Sequence, residues 1–427
     1  MEPFQYRDGV LHCEDGTLVA VAERFGTPTY VYSRRALIGH YDRFARAFAE
    51  LRPRLCFAVK SCHNTHVLRL LREHGAAFDV VSGGEVRRVA EAGADPADIV
   101  FAGVGKTDEE MTAAIALGVG CFNVESVTEL ERLAAHAERA RKTVHAALRI
   151  NPDVDALTHP YTTTGKRENK FGIDIERARR LFRQFAGNRW LRVSGVHVHI
   201  GSPVNTVEPY VRATAKALTL IEDLRADGME IDMFNLGGGY GACYEQAEAP
   251  PPEDYARAVV PLLKGRGLQV HLEPGRSIAA NSGLLLTRTL YVKQGCERRF
   301  VIVDAAMTDL LRPALYGAYH FVWPVEPGSA FVPPHRGSDL KLPGTVEVDV
   351  VGPVCESGDF LAKDRWLPPM QRGDLLAVFS AGAYGAVMSS QYNSRPRAAE
   401  VLVNGDSARL IRRRETYDDL VAAERDL

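Results

Sequence analysis

The chain has 427 residues, 46% of them hydrophobic and 25% charged, with a formal net charge of -2. That balance is ordinary for a globular protein, and the length suits roughly two to three domains or one large barrel with a partner domain. At that net charge neither nucleic acid nor an anionic membrane is an obvious partner.

The predicted elements begin with two β-rich pieces, LHCEDGTLVAVAERFG at 11–26 and PTYVYS at 28–33. From about residue 55, short apolar runs alternate with helix-period stretches. The runs are LCFAVK from Leu55, AFDVVS from Ala77, DIVFAG from Asp98, GCFNVES from Gly120, HAALRIN from His145, RVSGVHVHIG from Arg192, EIDMFNLGGG from Glu230 and LQVHLEPG from Leu268. Intervening stretches such as HVLRLLREHG, GEVRRVAEAG and SVTELERLAAHAERA read as helices, several closed by glycine. Eight strands alternating with helices predict a parallel (β/α)8 TIM-like barrel over 35–283, with an open doubly wound sheet as the rival.

After about residue 283 the texture becomes β-rich, in TRTLYVKQG, RFVIVDAAM, GTVEVDVVGPV, GDLLAVFSAGAY and PRAAEVLVNG, separated by Pro/Gly turns. Residues 1–34 and 284–427 are expected to form one β-rich, sandwich- or barrel-like domain, with 324–339 an irregular surface excursion. No basic segment leads into an apolar one at the N-terminus, and no run of about 18 apolar residues occurs, so a soluble, unsecreted protein is expected. Seven cysteines, with no CxxC pair, fit neither a disulfide framework nor a zinc knuckle and suit a reducing cytoplasm.

Chemistry is expected at the C-terminal ends of the barrel strands. Lys60 ends the first predicted strand, Asp79 lies in the second, His197 and His199 end the sixth, Asn235 and Gly237-Gly238-Gly239 the seventh, and Glu273 and Arg276 the eighth. Glycines let backbone N–H groups approach a phosphate, with Ser202 and Arg276 as further donors. A phosphate site facing a lysine on one rim suggests pyridoxal 5'-phosphate, carried by the lysine as a Schiff base. Glu273 would keep the ring nitrogen protonated, and His199 would pack on the ring face. The alternative use of His197-Val-His199, a metal, wants further ligands that strands 1 and 8 do not supply, so no metal is expected.

These pieces fall into the pattern of a family. FAVKSCHN, FDVVSGGE, HVHIGS, NLGGGYG, EPGR, RPALYGAYH, GPVCESGD and SAGAYG occur in that order over nearly the whole chain. The sequence resembles the fold-type III pyridoxal-phosphate decarboxylases, the group of ornithine, arginine and diaminopimelate decarboxylases. Within it the diaminopimelate branch is most similar, on HPYTTTGKRENKFGI at 159–173, MTDLLRPALYGAYH at 307–320 and CESGD at 355–359. The resemblance implies decarboxylation of meso-2,6-diaminopimelate to L-lysine. Lys60, Asp79, His199, Ser202, Gly238, Gly239, Glu273, Gly275, Arg276 and Tyr384 are implied to hold the cofactor. Arg276, Arg312, Tyr316, Glu356 and Tyr384 are implied to hold the substrate, and Cys355 to reprotonate the carbanion. Cys355, Glu356 and Tyr384 come from the neighbouring subunit in this family, which implies a homodimer.

The chain departs from the family at Pro203, where Gln often follows HIGS, so the loop after strand 6 is expected to take its own path. The loop at 159–170 is expected to close over the substrate, from its Thr/Gly content. Alternatives are a related decarboxylase acting on ornithine, lysine or arginine, an amino acid racemase, and a non-catalytic homologue. Racemases of this fold usually put an arginine on the ring nitrogen, where this chain has Glu273. A pure binding protein needs neither Lys60 nor Cys355.

Overall fold

The computed structural model describes residues 2–155, 170–245 and 249–425. The chain divides into two units, one of 40–241 with 249–277 and one of 1–39 with 242–248 and 278–427.

The first unit is a closed barrel of eight parallel strands: β1 (Arg54–Ala58), β2 (Ala77–Val80), β3 (Ile99–Phe101), β4 (Cys121–Val124), β5 (Val144–Asn151), β6 (Leu191–His197), β7 (Met233–Asn235) and β8 (Gln269–Leu272). Neighbours in sequence are neighbours in the sheet, β4 pairs β5, and β8 pairs β1 to close the ring, which excludes the open doubly wound sheet. The strands read as unbroken apolar runs because both faces are covered. Cys56, Ala77, Val100, Cys121 and Ala147, one from each of β1 to β5, pack with Met233 as one layer.

Helix starts follow local chemistry. Asn64 caps Thr65–Glu73, Ser82 caps Gly83–Glu91 and Ser126 caps Val127–Ala140, each accepting from a backbone N–H of the first turn. Ser82, which sits just past β2, is thus committed to a helix terminus. The nineteen-residue helix Glu208–Ala226 carries Pro209 in its first turn, where a missing N–H costs nothing. Among the described residues, no helix is long and apolar enough to cross a membrane.

The second unit is built around one long strand, Gly283–Gln294, which pairs antiparallel with Thr29–Ser33, Arg299–Val303 and Leu375–Val378. Thr29–Ser33 also pairs parallel with Ala399–Asn404, so the two chain ends share a sheet. Buried Glu14 ties them further, accepting from Ser33 Oγ, the Arg35 N–H and the Gly405 N–H at 2.7–2.8 Å. One N-terminal expectation is corrected here. Over LHCEDGTLVAVAERFG, strand is confined to the end of Val10–Cys13 and to Gly16–Thr17, and Leu18–Phe25 is a helix capped by Thr17. Its buried Leu18, Val21 and Ala22 lie three and four apart, a helical stripe that the alternating VAVA run disguises.

Candidate active site

β1 stops at Ala58, and Lys60 sits in the 3-10 turn Val59–Ser61 rather than at the end of the strand. The turn is backed by Gly275, where a Cβ would stand 2.9 Å from both Ala58 Cβ and Ser61 Oγ. Glycine at 275 is therefore a packing requirement of the lysine turn. Lys60 Nζ forms an ion pair with Asp79, which is wholly buried on β2. Burial pushes the Asp79 carboxyl up to about 7 and nearby Glu273 adds to this, while Lys60 pulls the other way. Among the described residues, Asp79 Oδ1 has no hydrogen-bond partner.

Glu273 is the first residue after β8 and is 3% exposed. Its Oε1 accepts from Asn235 Nδ2 at 2.7 Å and Asn123 Nδ2 at 3.1 Å, and its Oε2 lies 3.5 Å from His197 Nε2. Burial opposes ionisation, but His197 and Lys60 outweigh it and hold the carboxyl well below its usual range. Two amide donors favour the same charged form. Asn123 is a residue the sequence reading missed. Its signal was present, as a polar side chain inside the apolar run CFNV. His197, weighed as a metal ligand, instead stands beside Glu273.

β6 ends at His197, so His199 lies two residues beyond the strand. Its Nδ1 accepts from the Gly238 N–H at 3.2 Å. Desolvation first, then Arg149 and Lys60, keep the imidazole neutral. Arg149 is itself held by buried Glu125, at 2.8 Å from each carboxylate oxygen.

The loops after β6 and β7 are laced together. The Val204 N–H donates to the Gly239 carbonyl at 2.8 Å, and the Tyr210 hydroxyl donates to the Gly238 carbonyl at 2.9 Å. Gly239 has φ +96°, and a Cβ there would stand 2.1 Å from the Gly201 carbonyl oxygen. Arg276 Nε donates to Ser202 Oγ at 3.1 Å, and Pro203 follows a cis peptide bond. The barrel thus offers an amine, an ionised buried carboxylate, a neutral imidazole and a glycine cradle edged by Ser202 and Arg276. That donor set fits pyridoxal phosphate, whose aldehyde, ring nitrogen, ring face and phosphate ask for those four things.

The remaining expected residues lie in the second unit. Arg312 is 7% exposed at the start of the short helix Arg312–Tyr316, with Tyr316 at its end. Its Cζ stands 4.4 Å from the centre of the Tyr244 ring. Cys355 and Glu356 are exposed, and the Cys355 N–H donates to Asn393 Oδ1 at 2.9 Å. Tyr384 and Asn393 both take φ +55°, uncommon for residues with side chains. The expected substrate loop at 159–170 lies outside the described residues except for Lys170.

Residues 34–280 match the family described as "Pyridoxal-dependent decarboxylase, pyridoxal binding domain". The diaminopimelate decarboxylase of Pseudomonas aeruginosa is 50% identical over 99% of this chain and 99% of its own length. That of Haemophilus influenzae is 44% identical, again over 99% of both. The crystal structure of diaminopimelate decarboxylase from Helicobacter pylori complexed with L-lysine superposes with a TM-score of 0.89 at 38% identity, covering 95% of this chain and 99% of that one. With a closed barrel carrying this donor set and such likeness over the full length, the chain belongs to the diaminopimelate decarboxylase family of pyridoxal-dependent decarboxylases.

Proposed function

We propose that this chain decarboxylates meso-2,6-diaminopimelate to L-lysine and carbon dioxide, a step of lysine biosynthesis, with pyridoxal 5'-phosphate as cofactor. The observation that carries the chemistry is the presence on one barrel of an amine, Lys60, and a buried carboxylate, Glu273, held in its charged form by His197 and Lys60 and hydrogen-bonded by two asparagine amides. When bound, pyridoxal phosphate supplies an electron sink for the charge left on the α-carbon as carbon dioxide departs.

The chain's own residues have separate tasks. Lys60 would carry the cofactor through its amine, beside Asp79. Glu273 would serve the ring nitrogen and keep its proton in place. His199, neutral, would pack on the ring. Ser202, Gly238, Gly239, Gly275, Arg276 and Tyr384 would hold the cofactor. The distal head of the substrate carries a carboxylate and an ammonium, so it asks for a fork of cationic donors and an anion. Arg276, Arg312 and Tyr316 are assigned to the carboxylate and Glu356 to the ammonium, with Tyr384 reaching both phosphate and substrate. When the C–CO2 bond breaks, its electron pair stays on the α-carbon, and the Cys355 thiol returns a proton there.

The assembly we infer is a homodimer whose partner supplies Cys355, Glu356 and Tyr384, with 35–283 as the cofactor barrel and 1–34 with 284–427 as the domain lent across. Family membership supports this arrangement. A cytoplasmic location is supported by seven free cysteines, four of them buried.

The test is a substrate panel. The purified protein with pyridoxal phosphate is given meso-diaminopimelate, ornithine, lysine or arginine, and carbon dioxide and product amine are measured. Lysine formed from diaminopimelate alone is the expected result. Carbon dioxide from another substrate, and none from diaminopimelate, overturns the specificity. No carbon dioxide from any, with the cofactor bound, overturns the reaction.

A further inference from the structure

His320 is fully buried in the second unit and makes two hydrogen bonds of opposite sense. Its Nδ1 lies 2.8 Å from the Phe379 carbonyl oxygen, and its Nε2 lies 2.8 Å from an Arg312 terminal nitrogen. A carbonyl only accepts and a guanidinium only donates, so Nδ1 carries the proton and Nε2 the lone pair. The imidazole is therefore neutral and in one tautomer, selected by the backbone behind it. The Tyr244 ring packs edge-on to the His320 ring, with centroids 5.5 Å apart, and lies 4.4 Å from Arg312 Cζ. Backbone carbonyl, imidazole, guanidinium and phenol ring form one chain of contacts that fixes where the Arg312 fork points.

A lysine or arginine at 320 would repel Arg312, and an aliphatic residue would take one acceptor away from a buried guanidinium. A neutral imidazole orients the guanidinium without itself adding a negative charge beside it. A carboxylate at the same place would orient it equally well but would neutralise the charge that a substrate carboxylate needs.

We propose that His320, locked as the Nδ1–H tautomer by the Phe379 carbonyl, is a positioning residue that aims Arg312 at the distal carboxylate of the substrate and so sets selectivity for substrates that retain that group. This rests on the role proposed for Arg312. The test compares His320→Asn with His320→Gln. Asparagine can keep the donor toward Phe379 but withdraws the acceptor from Arg312; glutamine can present an oxygen near the Nε2 position. KM and kcat are measured with meso-diaminopimelate. Binding of L-lysine, which keeps the carboxylate, and of cadaverine, which lacks it, is measured by calorimetry on the cofactor-loaded proteins.

His320→Asn is expected to raise KM and weaken L-lysine by about tenfold, the scale of one hydrogen bond to a charged group. Cadaverine affinity should stay within about twofold, a change too small to represent a lost charge-assisted bond. His320→Gln should recover most of the L-lysine affinity. Equal effects of the two variants, or equal weakening of L-lysine and cadaverine, overturn the proposal. Wild-type protein that binds L-lysine but does not decarboxylate diaminopimelate overturns the proposed function, while the lysine and cadaverine comparison still decides this one. Wild-type protein that neither binds L-lysine nor decarboxylates diaminopimelate overturns both.

Discussion

Asn235, the last residue of β7, donates its side-chain amide to Glu273, the first residue past β8, at 2.7 Å. The other end of the same amide, Oδ1, accepts from the Gly237 N–H at 2.9 Å, so one side chain joins the carboxylate to the glycine loop. Replacing Asn235 by Ala leaves a charged acceptor short of one donor, a loss of about 1.5–3 kcal/mol. Turnover is expected to fall by about tenfold or more, and the pH at which the bound cofactor's absorption changes should move, because Glu273 loses support for its charged form. Unchanged turnover and an unchanged spectral titration would remove Asn235 from the site.

Lys60→Ala should lose both turnover and the visible absorption band of bound cofactor. Cys355→Ala should keep that band and lose most turnover. Mixed and reassembled, the two inactive variants should recover part of the activity, because in the proposed dimer a hybrid would hold one site with both Lys60 and Cys355. Mixing without recovery, after confirmed subunit exchange, would place the thiol and the lysine in the same subunit.

Gly239→Ala forces a side chain onto φ +96° and sets a Cβ 2.1 Å from the Gly201 carbonyl. The left-handed backbone alone costs about 1–2 kcal/mol for alanine, and the clash must push apart the two loops that Val204 and Gly239 join. The expected outcome is a cofactor dissociation constant raised by at least about tenfold, with a lower Tm. Cofactor affinity equal to wild type would show that this loop does not hold the phosphate.

Asp309, buried in the second unit, has its carboxyl pushed up to about 7 by burial, against the pull of the Ala306 N–H and Arg395. Its folded pKa is raised above the unfolded value, so between about pH 4 and pH 7 the folded chain binds one more proton than the unfolded chain. Its contribution is thus fully present below about pH 4 and is lost as pH rises toward 7, by about 1.4 kcal/mol per unit. Asp309→Asn can keep an acceptor for the Ala306 N–H, which now binds at 2.9 Å, and does not titrate. Its Tm should fall less than that of wild type between pH 5 and about pH 7.5, as measured by calorimetry; parallel curves would count against a buried, titrating Asp309.

The sequence by itself determined the eight barrel strands, because strands covered on both faces need unbroken apolar runs, and their caps and glycine stops are local chemistry. It also determined which residues stand near the strand ends, since Lys60, His199, the glycine run and Glu273 each follow such a run directly. It was less clear over LVAVAERF, where period-two alternation and a helical stripe coincide and only packing decides between them. The partners were decided by tertiary structure alone. Asn123 reaches Glu273 across 150 positions of sequence, and His320 takes its tautomer from a carbonyl 59 positions away. A side chain's type limits what it can donate or accept, but the group within 3 Å of it is chosen by ring closure and strand register. For that reason the asparagine clamp and the neutral imidazole behind Arg312 were invisible as motifs, although every residue in them was in plain view.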